Sequence, residues 1–178
     1  SALLATGETS TANVANVETW NGTSWVETTD VGTARRLCAR AGTATQALVA
    51  GGYTSTNVNN TEIWNGGSWS ETNDLNTARR VLAGSGTYTS ALAYGGKATP
   101  PSTRLAVTES WNGTSWTETS DLNTARENMA GTGTDSEDAL SVGGETSTAR
   151  VAVTESWNGT SWTEVNDLSS VRSNGSGA

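Results

Sequence analysis

The residues able to do chemistry recur at fixed places. Glu18, Glu62, Glu109 and Glu155 each stand two positions before a tryptophan, and Glu27, Glu71, Glu118 and Glu164 each stand two positions after the next one. Paired carboxylates are the equipment of glycoside hydrolysis, one acting as acid and the other as base or nucleophile. A reaction needs one such pair. Four pairs at a regular interval fit cross-strand partners on a solvated face better than a single active site. Arginine recurs too, as Arg35, Arg79, Arg126 and Arg172, each closing a T-A-R or S-V-R triplet. Gathered around one axis, four guanidinium groups would make a ring able to hold a carboxylate or another anion. The competing expectation pairs each arginine with the nearby Asp30, Asp74, Asp121 or Asp167, or stacks it on a tryptophan between units.

What the chain lacks narrows the chemistry further. It has 178 residues and no histidine. Ser-His-Asp and Cys-His catalysis and the usual zinc and copper sites are therefore excluded. Cys38 is the only cysteine, so no intrachain disulfide can form. It sits between Leu37 and Ala39 with no base beside it, which predicts a buried, inert thiol. Asp74-Leu75-Asn76 lacks the further ligands of a calcium loop. The expectation is a protein that is not an enzyme, with no catalytic residue, no metal and no cofactor. Ten basic against eighteen acidic residues give a net charge of −8. That charge repels phosphate backbones and anionic leaflets, so neither nucleic-acid binding nor membrane insertion is expected. The longest apolar run is far short of a membrane span. Residues 1–15 lack the basic start and apolar stretch of a signal peptide.

These residues are placed by a repeat. The phrase W-N-G-x-S-W starts at Trp20, Trp64, Trp111 and Trp157, at spacings of 44, 47 and 46 residues. An apolar run ending in a glycine pair precedes three of the copies, at Gly51-Gly52, Gly95-Gly96 and Gly143-Gly144; the first copy has Thr6-Gly7 instead. Four units of about 45 residues therefore fill the chain, over 1–35, 36–79, 80–126 and 127–172, with 173–178 closing onto 1–35. Each unit reads as four short strands. Around the third tryptophan pair these are a small-residue strand in 81–86, Ala91–Tyr94, a Val- and Thr-rich strand in 104–111, and a returning strand in 116–122. Asn112-Gly113 supplies the hairpin turn, because both residues tolerate positive φ.

Four-stranded units of this length predict an all-β fold, a β-propeller of four blades. The small-residue strand suits the crowded axis. The paired tryptophans Trp20 and Trp25, Trp64 and Trp69, Trp111 and Trp116, and Trp157 and Trp162 would face each other across the turns and fill the blade interfaces. Residues 2–7 match the second strand of a blade and 172–178 the first. The N- and C-terminal strands would then complete one shared blade and protect its edges. Two chains making eight blades, or an excerpt of a longer array, fit the same pattern.

The pattern resembles the kelch repeat: an apolar strand ending in Gly-Gly, an aromatic residue where Trp64 stands, a tryptophan where Trp69 stands, and an inter-blade loop like Asp74–Arg79. The aromatic-to-Trp spacing is shorter than usual, and four blades are fewer than that family commonly has. The wording "TESWNGTSWTETSDLNTAR" is similar to the Thr/Asn-rich kelch-like arrays of marine bacteriophage virion and tail-fibre proteins. That resemblance implies a structural or adhesive part of a virion, fibre or extracellular assembly, with protein partners or self-assembly. The alternative is a lectin-like module binding cell-surface glycans in repeated inter-blade pockets. Sialidases are propellers with arginine clusters, but their Asp-box is absent here. The kelch-containing galactose oxidase needs copper-binding histidines that this chain does not have.

One departure from the repeat stands out. The loop between Gly96 and Trp111 is the longest of its kind and carries Lys97, Pro100, Pro101 and Arg104. A stiff, basic loop on an acidic protein is a candidate contact surface.

Overall fold

The computed structural model describes residues 1–175 and Gly177. It is built from β-strands only, in small antiparallel sheets. The first sheet has three strands in the order β1 (Ala2–Glu8), β2 (Asn13–Trp20) and β3 (Trp25–Thr28). The second runs β4 (Ala39–Gly42), β5 (Ala47–Ala50), β6 (Thr61–Trp64), β7 (Trp69–Glu71). The third has β8 (Ala83–Gly86) and β9 (Ala91–Tyr94), then, after a two-stranded ribbon of β10 (Lys97–Ala98) and β11 (Thr103–Arg104), β12 (Thr108–Trp111) and β13 (Trp116–Thr119). The fourth runs β14 (Ala130–Asp135), β15 (Asp138–Val142), β16 (Thr154–Trp157), β17 (Trp162–Glu164).

Local sequence explains each sheet. The Asn-Gly pairs turn the outer hairpins: Asn112 Oδ1 accepts the amides of Thr114 and Ser115 at 2.9 Å, and Gly113 holds φ 91°. This side-chain turn fixes the register that sets Trp111 opposite Trp116. The ring centroids of that pair lie 5.3 Å apart. The same pairing recurs for Trp20 and Trp25, Trp64 and Trp69, and Trp157 and Trp162. On the outer strands Glu27, Glu71, Glu118 and Glu164 point into solvent.

The glycine pairs do something more specific. Gly52 donates its amide to the carbonyl of Arg79 at 2.8 Å, and Gly96 does so to Arg126 and Gly144 to Arg172, both at 2.9 Å. A Cβ on Gly51 would come within 2.9 Å of the Arg79 carbonyl. The pair therefore lets one sheet's second strand touch the backbone that leads into the next sheet. Thr6-Gly7 keeps this bond, Gly7 to Arg35 at 3.0 Å, with Thr6 itself held at φ 62°.

Successive sheets pack face to face over three apolar clusters. The first joins Ala5, Val17, Val31, Cys38 and Val49, the second centres on Leu48, Leu75 and Trp111, and the third on Leu92, Leu122, Tyr94 and Trp162. The small-residue strands β4, β8 and β14 lie side by side. A Cβ on Gly84 would sit 2.8 Å from the Arg40 carbonyl, so only glycine permits this approach of β8 to β4.

The expected closing strand is not present among the described residues. Among the described residues β1 pairs only with β2, and 171–175 contains no strand. Asn174 instead donates its amide to Asn128 at 2.8 Å, beside the fourth sheet. Ser176 and Ala178, part of the segment expected to close onto 1–35, lie outside the described residues.

Candidate functional site

The recurring charges meet at the joints between sheets. Arg35 leaves the first sheet and reaches Glu62 of β6, with Nη1 3.2 Å from the carboxylate. Arg79 bonds Glu109 of β12, and Arg126 lies 3.1 Å from Glu155 of β16. All three guanidinium groups are wholly buried. Each also donates to a backbone carbonyl of the sheet it enters: Arg35 to Val49, Arg79 to Ala93 at 3.0 Å, Arg126 to Ser141 at 3.2 Å. The carboxylates accept from the connecting loop in turn. Glu109 receives Asn76 N at 2.7 Å, Asn76 Nδ2 at 2.8 Å and Thr77 N at 3.4 Å. Glu155 repeats this with Asn123 and Thr124, and Glu62 with Gly32 and Thr33. Burial pulls the Arg79 and Arg126 guanidinium pKa values below their ordinary value, against the paired glutamates, which raise them.

This corrects two expectations. Arg35, Arg79 and Arg126 are spent inside joints and are not free to hold an external anion, because burial of a guanidinium demands a carboxylate and carbonyls around it. Their partners are the glutamates, not the aspartates. Asp74, Asp121 and Asp167 instead accept the amides of Thr61, Thr108 and Thr154 at 3.1–3.3 Å. The glutamates do face each other across strands, Glu62 opposite Glu71 and Glu109 opposite Glu118. The first of each pair is buried and only the second is solvated. Arg172 differs from its three counterparts. It is exposed, donates to Ser170 Oγ at 2.7 Å and has no carboxylate partner among the described residues.

The tryptophans belong to the same joints. Trp116 donates its indole N–H to Thr61 Oγ1 in the preceding sheet at 3.0 Å, and Trp162 donates to Thr108 Oγ1 at 3.0 Å. Trp64, Trp111 and Trp157 are buried and donate to the carbonyls of Ala44, Tyr88 and Ser136. Trp20 and Trp69 are partly covered, and Trp25 is 47% exposed. The threonine acceptors were not singled out by sequence; their signal is that Thr61 and Thr108 immediately precede the buried glutamates.

The basic loop is also partly absorbed by the fold. Arg104 lies 2.9 Å from Glu127 and 3.3 Å from Glu145, and Lys97 lies 3.6 Å from Glu127. Exposure remains at Pro100 and Pro101. Nearby, two guanidinium groups lie over the Tyr53 ring, Arg36 5.3 Å and Arg80 4.7 Å from its centroid. Sequence gave no signal for that stack. Cys38 is buried, 3.3 Å from Thr6 Oγ1. Among the described residues no group of three or more cysteines and acids could hold a metal ion.

Comparison with models of known protein families and with curated proteins gives no match. The functional reading therefore stands on the repeat's own residues.

Proposed function

We propose that this chain is a run of kelch-like propeller blades serving as a non-enzymatic structural or adhesive part of a virion, fibre or other extracellular assembly. The observation that carries the reading is the fate of the recurring charges. Arg35, Arg79 and Arg126 and their glutamates are consumed in sheet-to-sheet joints, where removing either member strands a buried charge. What repeats on the outside is turns of Asn, Gly, Thr and Ser, a surface suited to presentation and contact rather than to bond making. Repeated sugar pockets would need open aromatic faces. Burial of Trp64, Trp111, Trp116, Trp157 and Trp162 favours the structural role over the glycan-binding alternative.

The test is localisation. Antibodies raised against the chain should label purified particles or the surface of producing cells in electron micrographs. An abundant protein confined to the soluble cell contents, with no labelled particle or surface, would end this reading.

A further inference from the structure

We propose that the face of the molecule around Tyr53 binds the carboxylate of an acidic sugar, with the guanidinium groups of Arg36 and Arg80 as its receptor. The proposal goes beyond the structural role and does not need it. The site is single, and it is separate from the inter-sheet pockets that the buried tryptophans close.

The site lies where the repeat changes. The residue after the glycine pair is Tyr53 in one unit, Lys97 in the next and Glu145 in the third. The residue after the joint arginine is Arg36, then Arg80, then Glu127. The backbone makes these positions bridge partners: Arg36 with Tyr53, Arg80 with Lys97, Glu127 with Glu145. The joints beneath them keep the same residue types throughout, so the fold does not demand the change above.

Three cations are thereby set side by side. Arg80 bridges Lys97, and Lys97 stands opposite Arg104 in the ribbon of β10 and β11. Like charges placed opposite one another are destabilising. Lys97 and Arg104 are offset by Glu127, at 3.6 and 2.9 Å, and Arg104 also by Glu145 at 3.3 Å. Arg80 is held by neutral groups instead. Its Nη1 donates to Asn57 Oδ1 at 2.8 Å and to Thr99 Oγ1 at 3.3 Å, and its guanidinium lies 4.7 Å from the Tyr53 centroid. Arg36 approaches the same ring to 5.3 Å and pairs with Glu8. That pair is open to solvent, with side chains 32% and 51% exposed, and such a pair yields readily to another anion. Two cationic forks thus stand at one aromatic ring, whose electron-rich face holds them in place.

The group is fixed before any ligand arrives. Arg36 and Tyr53 exchange backbone bonds at 3.1 and 2.9 Å, and Arg80 and Lys97 do so at 3.1 and 2.8 Å. Asn57 Nδ2 donates to the Lys97 carbonyl at 3.0 Å. Asn13 Nδ2 donates to the carbonyls of Tyr53 and Thr54 at 3.1 and 2.8 Å. A receptor held this way spends little entropy on binding. Arg36, Tyr53, Asn57, Arg80 and Thr99 are all partly exposed. None of them depends on how the chain begins or ends.

The chemistry selects the ligand. A planar carboxylate matches the guanidinium fork. The net charge of −8 repels a polyanion, so the ligand carries sparse charge. The groups beside the two arginines are amides and hydroxyls, Asn57, Thr54 and Thr99, which pair with sugar hydroxyls. An acidic peptide would want an apolar anchor. Among the described residues none of the exposed large apolar side chains belongs to this group. A uronic-acid residue in a largely neutral glycan meets all of these conditions.

Titration calorimetry on the 178-residue chain at low ionic strength tests this. The probes are a tetrasaccharide ending in glucuronate, the same tetrasaccharide with its carboxylate reduced to the alcohol, a tetrapeptide with one Glu among Gly and Ser, and sodium acetate. The acidic tetrasaccharide is expected to bind at millimolar concentration or below, and the reduced one about tenfold more weakly or worse. Arg80→Gln and Arg36→Gln each weaken the acidic sugar by about tenfold. Tyr53→Leu weakens it as well, by releasing both guanidinium groups. Glu164→Gln, on the outer strand of the fourth sheet, leaves binding unchanged. Thermal melting confirms that each variant is folded, and the comparison of the two sugars needs no variant. No binding of the acidic sugar at millimolar concentration overturns the proposal, as does equal binding of the reduced sugar or binding that Arg80→Gln does not weaken. A peptide that binds as tightly as the acidic sugar overturns it in favour of a protein partner. Acetate binding as tightly means an adventitious anion only, and overturns it too.

Discussion

Trp69 and Val17 face each other across the first joint in the places held by Trp116 and Thr61 in the second. Where Thr61 offers a hydroxyl to the indole at 3.0 Å, Val17 offers methyl groups. The buried indole N–H of Trp69 has no acceptor among the described residues. Stranding a donor costs more than the bond itself contributes. Val17→Thr should therefore raise unfolding stability by about 1 kcal/mol in urea titration. Thr61→Val should lower it by a similar amount by orphaning Trp116. A Val17→Thr variant that is destabilised, or a Thr61→Val variant as stable as the parent, would sink this account of the joint.

The Arg79–Glu109 pair is wholly buried and should behave as a unit. Glu109→Gln leaves an uncompensated guanidinium and costs about 3–5 kcal/mol. Adding Arg79→Met to that variant recovers part of the loss, since no charge is then stranded. A double-mutant cycle measures the coupling. Additive effects of the two substitutions would mean that the pair carries no joint-specific energy.

Gly84 lets β8 approach β4, where an added Cβ would lie 2.8 Å from the Arg40 carbonyl and 2.9 Å from its amide. Backbone cannot yield as a flexible side chain does. Gly84→Ala is expected to cost about 1–3 kcal/mol. Gly67→Ala, whose added Cβ would meet only Asn65 Oδ1 at 3.7 Å, serves as the control and should change stability far less.

Tyr94 is fully buried and donates to the Leu140 carbonyl at 3.0 Å. Burial pushes its phenol above the ordinary pKa of 10.0. The folded state holds this proton more tightly than the unfolded chain does. The resulting stability is complete below pH 10 and is lost as pH rises above it. Denaturation midpoints measured upward from pH 9 should fall for the parent chain. They should fall less steeply for Tyr94→Phe, which starts about 1 kcal/mol lower for its lost hydrogen bond. Parallel curves for the two proteins would refute the assignment.

Much of the fold was legible because short-range rules govern it. Asn112-Gly113 announced a hairpin, and Ala91–Tyr94 is the strand that its apolar run predicts. The strand expected in 104–111 is shorter, Thr108–Trp111, because Thr103–Arg104 turns aside into the ribbon with β10. The joints were harder to read. Arg79 was legible as a recurring cation, and its nearest acid in sequence is Asp74. Its partner is Glu109, thirty residues on, brought close only by the return of a whole sheet. The aspartate is engaged locally, accepting the amide of Thr61. Charges that repeat with one period can pair at any constant offset, and only packing chooses which.

The exposed glutamates Glu27, Glu71, Glu118 and Glu164 have a consequence beyond solubility. Each sits on the outermost strand of its sheet, β3, β7, β13 and β17, where backbone amides and carbonyls would otherwise invite another strand. Four like charges along that rim repel the rims of other copies. Lateral growth into stacked sheets is thereby penalised. The repeat thus carries, at the edge of every sheet, its own protection against pairing with another edge.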